Sequence, residues 1–206
     1  MPLKIKIPIS DEDICKLKVG DSIVLSGVMI TGRDAVHKWL NDNFVHPKGP
    51  VKPEDQEIYD AIKPILNGGI IYHCGPVVSG LQTKEYKFVA AGPTTSIREE
   101  PYQGDIIRHF SMKGVIGKGG MGKKTSQACH DVPAVYFHAI GGAASLIAKS
   151  VKEVQGVYKI EFGVPEAIWV IRVEEFPVVV TMDAYGSSLH ELVRNSSKTI
   201  LDKLIL

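Results

Sequence analysis

Again and again this chain passes from a short β-branched, apolar stretch through a glycine turn into residues at helical spacing. Ile23–Met29 runs into Thr31-Gly32-Arg33-Asp34, Gly69–Cys74 into Gly75-Pro76, Tyr86–Ala91 into Gly92-Pro93, Gly114–Ile116 into Gly117, and Ala134–Ile140 into Gly141-Gly142-Ala143-Ala144. Strands alternating with helices predict a layered α/β fold, and in such folds ligands bind where strands end and helices begin. At 206 residues the chain predicts one domain with a core of its own. Its 24 basic and 23 acidic side chains leave a formal charge of +1, which gives no electrostatic case for nucleic acid or an acidic membrane surface.

In chain order, the alternation of Leu3–Ile9 predicts an edge strand. Ser10 followed by Asp11, Glu12 and Asp13 predicts a capped helix through Leu17. Ala35, Val36, Trp39, Leu40 and Phe44 predict a helix after Arg33. His46–Pro53 predicts a loop, Ile58–Leu66 a helix interrupted or ended near Pro64, and Val77–Thr83 another loop. Helices are expected at Ile106–Phe110, at Thr125–Cys129 and after Gly142. Val151–Phe162, Ile168–Val173 and Pro177–Met182 read as separate strands. Leu189, Leu192, Val193, Ile200, Leu201 and Leu204 form the stripe of a closing amphipathic helix.

Ala91–Arg98 is expected to be a stiff strand-to-helix turn, because Gly92 opens backbone angles closed to other residues and Pro93 fixes the next φ. Thr94, Thr95 and Ser96 then bring hydroxyls and unpaired N–H groups to a helix start, which favours negative charge. With Arg98 one turn further on, the segment is a candidate carboxylate or phosphate site; the plainer alternative is that Thr94–Ser96 only cap a helix. Arg33 sits at a comparable junction, where spacing alone favours an arginine paired with Asp34 or capping a neighbour.

Gly117–Gly122 matches G-x-G-x-x-G, yet no acidic residue ends the next strand, as a dinucleotide fold requires. Gly117–Lys123 also has the phosphate-loop spacing, but Lys124 stands where a magnesium-binding hydroxyl is needed. The glycines therefore read as letting the backbone and Lys118 approach an anion closely. Cys15, Cys74 and Cys129 are far apart and odd in number, which argues against a disulfide framework and against a complete zinc or iron–sulfur site from this chain alone. His130-Asp131 has no nucleophile beside it and reads as a surface helix end. No stretch has the layout of a signal peptide or the length of a membrane span, so a cytoplasmic location is expected.

Gly92-Pro93-Thr94-Thr95-Ser96-x-Arg98 and Ile116-Gly117-Lys118-Gly119 together resemble the β subunit, or C-terminal domain, of class I iron–sulfur fumarases and the related L-tartrate dehydratases. The resemblance extends through Leu25-Ser26-Gly27, Arg33-Asp34-Ala35-x-His37-Lys38, Gly75-Pro76, Ala134-Val135-Tyr136-Phe137, Gly141-Gly142-Ala143-Ala144 and Pro165-Glu166-Ala167-Ile168-Trp169, from about Val19 to about His190. It implies a swivelling β/β/α domain over residues 1–206 and the reversible hydration of fumarate to L-malate. It also implies an α subunit that holds the four-iron four-sulfur cluster and joins this chain in a higher hetero-oligomer. By the same resemblance Arg33, Arg98 and Lys118 bind the substrate carboxylates, with Thr94 and Thr95 beside the reacting carbons. Lys118 and, as a base, Thr94 are the catalytic candidates, and His37 reads as structural.

The chemistry agrees with that assignment. Arginine forks suit carboxylates, and a fixed cation stabilises the charge that builds when a proton leaves the adjacent carbon. A free hydroxyl is a poor base and needs nearby cations or a proton relay. Two departures, Val77-Val78-Ser79-Gly80 in place of a more proline-rich run and the basic, proline-rich His46–Asp55, bear on substrate choice or the seam with a partner. L-tartrate as substrate and a non-catalytic, anion-binding assembly module are the rival expectations.

Overall fold

The computed structural model describes residues 1–205. Its elements run β1 (Leu3–Lys6), α1 (Asp11–Lys16), β2 (Ser22–Thr31), α2 (Asp34–Leu40), α3 (Pro53–Leu66), β3 (Ile70–Tyr72), β4 (Val77–Ser79), β5 (Lys87–Ala90), α4 (Glu100–Phe110), β6 (Gly114–Gly117), α5 (Lys123–Asp131), β7 (Val135–His138), α6 (Ala144–Ala148), β8 (Val151–Tyr158), β9 (Ile168–Met182) and α7 (Leu189–Ile205). They make a single α/β domain. β1, β2, β3, β6 and β7 lie parallel in that order. β9 runs antiparallel to β7, β8 and β2, and its pairing with β2 closes the strands β2-β3-β6-β7-β9 into a ring.

The central parallel strands β3 and β6 carry almost no polar side chains because both their faces are covered, whereas the edge strand β1 exposes Lys4 and Lys6. Ile70, Tyr72, Ile116, Val135 and Phe137 join Trp169, Ile171 and Phe176 of β9 in one core. Ile71, Val115 and Tyr136 face the other way, onto Val36, Leu40, Ile62, Ile106, Ile107 and Phe110 of α2, α3 and α4. The period of two along each strand thus divides one sequence between two cores.

Several expectations are corrected. Tyr86–Ala91 does supply a strand, but β5 pairs with β4 in a separate hairpin, where a loop was expected, and not with the main sheet. The hairpin buries Val78 and Phe88 toward Trp169 and leaves Val77 and Val89 outside. α3 ends at Leu66, two residues past Pro64, in keeping with an end near that proline; it is not interrupted there, because Pro64 lies in the last turn on an exposed side and the carbonyl it leaves free belongs to exposed Asp60. Ile168–Val173 and Pro177–Met182 are one strand of 15 residues, carried past Glu175 by a positive φ of 49°. The closing helix forms, and Leu189 at its start is half-buried, yet every described residue from Glu191 onward is exposed, so the rest of its apolar stripe packs on nothing among the described residues. Among the described residues no helix is long and apolar enough to cross a membrane.

Candidate anion site at the ends of the parallel strands

β3 and β6 pair from Ile70↔Gly114 to Tyr72↔Ile116 and then diverge. Residues 93–96 are wedged into the gap. Thr94 N–H donates to the His73 carbonyl at 2.7 Å, Lys118 N–H to the Thr94 carbonyl at 3.2 Å, and Ser96 N–H to the Lys118 carbonyl at 3.1 Å. Cys74 bridges Pro93 on one flank and Thr95 bridges Lys118 on the other. Two stretches more than twenty residues apart in sequence thereby share one short backbone ladder. The wedge explains why no α-helix starts at Thr94: a single 3-10 turn, Ser96–Glu99, intervenes before α4.

The three expected cations gather along this edge. Arg33 follows β2, and its guanidinium lies against the Gly75 backbone so closely that a Cβ there would come within 2.5 Å of Nη1. Gly75 is therefore a cradle for Arg33. Arg33 pairs with Glu166 at 3.1 Å rather than with Asp34, and Glu166 also accepts from Ala35 N–H at 3.2 Å. Arg98 reaches Asp34 at 3.6 Å, with both side chains about half exposed. Lys118 leans toward Gly141 beyond β7, and among the described residues no carboxylate lies within ion-pair distance of it. Among the described residues, Lys118 thus has no ion-pair partner, while Arg33 and Arg98 each keep a carboxylate counter-ion.

The hydroxyls divide in a way the sequence did not announce. Thr95 is exposed beside Lys118. Thr94 Oγ1 donates to the His73 carbonyl at 3.0 Å. Ser96 is fully buried, and its hydroxyl meets His73 and Tyr136, so it does not face an anion. Gly117 is glycine for that hydroxyl: a Cβ there would overlap Ser96 Oγ and crowd the Tyr136 hydroxyl.

The glycine-rich loop is not a phosphate loop. The start of α5, where a phosphate would sit, is filled by the Glu100 carboxylate, which accepts from Gly122 N–H at 2.8 Å, Lys124 N–H at 2.9 Å and the Thr125 hydroxyl at 2.7 Å. A hollow of about 360 Å³ opens on the other side of that loop, lined by Met121, Ser126, His130, Met182 and Glu191, and it contains none of the three cations. His130 and Asp131 are 3.9 Å apart on the surface, with Asp131 held by Arg108.

Some polar residues below the site were missed in sequence. Glu99 is fully buried, and among the described residues neither of its oxygens has a hydrogen-bond donor. Burial, and then the neighbouring Asp34 carboxylate, push its carboxyl up to about 8, so it is neutral at pH 7. His73 and Gln103 are also fully buried. The signal was available: Ser96, Glu99 and Gln103 fall at helical spacing on the face that continues as Ile106 and Phe110, which puts polar groups on the buried side.

The comparisons with known proteins follow the same lines. The family model described as Fumarase C-terminus matches residues 2–193. A Geobacillus stearothermophilus protein named "Putative fumarate hydratase class I" is 48% identical over 202 residues, covering 98% of this chain and 35% of its own length. The L(+)-tartrate dehydratase subunit beta of Escherichia coli (strain K12) is 38% identical over 183 residues, covering 88% of this chain and 83% of its own. The chain therefore spans about a third of the first relative and most of the second. With the matched region running from β1 into α7 and taking in the whole strand-end site, this chain belongs to the Fumarase C-terminus family.

Proposed function

We propose that this chain is the β subunit, or equivalent swivelling β/β/α domain over residues 1–206, of a class I fumarate hydratase, active in the cytoplasm with a cluster-bearing α subunit in a higher hetero-oligomer. The reaction is the reversible addition of water to fumarate. The observation that carries the reading is the shared ladder of Thr94–Ser96 with Lys118, which sets a free ammonium beside two hydroxyl-bearing residues, with Arg33 and Arg98 along the same edge.

A C4 dicarboxylate brings two charges. Arg33 is oriented by Glu166 and by the Gly75 cradle, so its fork is set before a carboxylate arrives. Arg98, loosely paired to Asp34, can exchange that partner for substrate. Lys118 is the catalytic cation: removing the proton beside a carboxylate builds charge there, and an ammonium fixed at that point favours the transition state over the ground state. Thr94 and Thr95 lie beside the reacting carbons. The Thr94 hydrogen bond to the His73 carbonyl favours the neutral hydroxyl, so a base role for Thr94 requires that bond to break on substrate binding, with Lys118 stabilising the alkoxide.

The cysteines of this chain do not fit a cluster. Cys74 and Cys129 are buried thiols pushed up to about 12, chiefly by burial, and among the described residues no group of His, Cys, Asp and Glu could hold a metal ion. The four-iron four-sulfur cluster is assigned to the α subunit.

A second reading, L(+)-tartrate dehydration, is favoured by the relative of that name, whose length this chain covers far more fully than that of the fumarase relative. Anaerobic co-expression with the cluster-bearing subunit, followed by assays on fumarate, L-malate and L(+)-tartrate, separates the two. Turnover of fumarate and malate is expected; turnover of tartrate alone moves the assignment to the second reading, and turnover of none returns the chain to a non-catalytic module.

A further inference from the structure

Below the Thr94 turn, buried side chains from separate elements touch in sequence. His37 on α2 and His73 after β3 lie edge to face, ring centroids 4.9 Å apart. The Nε2 atoms of both are 2.8 Å from one terminal atom of Gln103 on α4. His73 Nδ1 is 2.8 Å from Ser96 Oγ, which also accepts from the Tyr136 hydroxyl at 2.8 Å. At the far end, His37 Nδ1 is 2.9 Å from the Arg33 carbonyl. Among the described residues the second terminal atom of Gln103 has no partner.

Counting hydrogens decides which way the amide faces. A carbonyl only accepts, so His37 Nδ1 carries the hydrogen. Full burial keeps that ring neutral, and a neutral imidazole protonated at Nδ1 is an acceptor at Nε2. The Gln103 atom facing it must donate and is therefore the amide nitrogen; amide orientation is assigned from such networks. That nitrogen has two hydrogens and two imidazole neighbours. His73 Nε2 takes the second hydrogen, which leaves the His73 proton on Nδ1, donating to Ser96 Oγ. The reverse orientation would bury two N–H donors without partners and require a doubly protonated, charged His37, whereas this one leaves one carbonyl oxygen and one hydroxyl hydrogen of the Ser96–Tyr136 pair unpartnered among the described residues and no buried charge, a smaller cost.

We propose that Gln103 is a positioning residue: as a double donor its amide holds His37 and His73 in the Nδ1–H tautomer, and His73 in turn holds the turn that carries Thr94, Thr95 and Arg98. The His73 carbonyl accepts from both the N–H and the hydroxyl of Thr94, and its ring donates from Nδ1 to Ser96 Oγ, so one residue sets three atoms of that turn. Arg33 and Asp34 at the start of α2, and Arg98 and Glu99 before α4, are the charged or titratable side chains around the rings. None of them hydrogen-bonds to either imidazole among the described residues. The catalytic consequence rests on the hydro-lyase reading above; the tautomers do not.

Nitrogen-15 NMR of the full chain labelled at histidine reads the tautomers directly. Both rings are expected to carry hydrogen on Nδ1 and none on Nε2 at pH 7.5. In Gln103→Glu, which replaces the donor by an acceptor, at least one ring is expected to gain an Nε2 hydrogen. A wild-type spectrum with either ring protonated at Nε2 overturns the proposal, even if the variant fails to fold. In the complex with the α subunit, Gln103→Glu should lower kcat by about tenfold or more while KM for fumarate moves less than about threefold, because the cations still bind substrate and the Thr94 turn is displaced. An unchanged kcat with altered tautomers overturns the positioning role. A complex that turns over neither fumarate nor tartrate defeats the hydro-lyase reading, and the tautomer measurement still decides the rest.

Discussion

Replacing Glu99 by glutamine should change how stability depends on pH in a direction the structure fixes. Glu99 is fully buried against Asp34, and among the described residues no N–H donor reaches its oxygens, so a proton on one carboxyl is what lets the two approach. Its ordinary value of 4.5 is pushed up to about 8 in the fold. Between those limits the folded chain binds a proton that the unfolded chain has released. The contribution of Glu99 is therefore fully present below pH 4.5, declines as pH rises and is gone above about 8. The slope is about 1.4 kcal/mol per pH unit. From pH 5.5 to 7.5, wild-type stability should fall relative to Glu99→Gln by about 3 kcal/mol, because glutamine fills the same space and does not titrate. Burial lowers the proton affinity of His37 and His73, whose titration adds a slope of opposite sign, but both chains share it and it cancels in the difference. Urea unfolding by linear extrapolation at several pH values measures the quantity. Parallel curves for the two chains would mean that Glu99 is ionised in the fold, and the argument for a neutral carboxyl beneath Arg98 would be wrong.

Two further substitutions separate charge from packing. Lys118→Met should lower kcat/KM by about a hundredfold, the loss of one preorganised charge of about 3 kcal/mol, while the urea midpoint stays put, since the Lys118 ammonium has no ion pair among the described residues; equal losses in both would make it structural. Gly117→Ala should destabilise the fold by about 2–4 kcal/mol, because the added methyl displaces the Ser96 hydroxyl from His73 and Tyr136. A Gly117→Ala protein with wild-type stability would remove Ser96 from the network.

What could be read from the sequence, and what could not, follows from the range of the interactions involved. Helix starts set by local chemistry, such as Ser10 accepting from Asp13 N–H, lie where expected. Buried runs such as Ile70–Tyr72 declare themselves as strands because both faces are covered. Tyr86–Ala91 was equally legible as a strand, but which sheet it joins depends on Val77–Ser79, whose alternation is too short to register. The apolar stripe of α7 was visible, but the sequence is silent on what it would face, and among the described residues its part beyond Glu191 faces nothing. The site divides in the same manner. Arg98, past a strand-to-helix turn, and Lys118, in a glycine-rich loop, stand out as cations placed for an anion, whereas Arg33 by spacing alone reads as paired with Asp34 and enters the site through the family resemblance. Ser96, misread as a possible anion ligand, shows why the remainder was hidden: its role depends on Gly117 lacking a side chain, on Tyr136 and on His73, none of them near it in sequence. The glycine-rich loop fails as a phosphate site for the same reason, since the carboxylate that fills the start of α5 belongs to Glu100, on the helix before it. A loop motif gives the backbone shape available to an anion. Only the fold shows which anion, a substrate or one of the protein's own carboxylates, already occupies it.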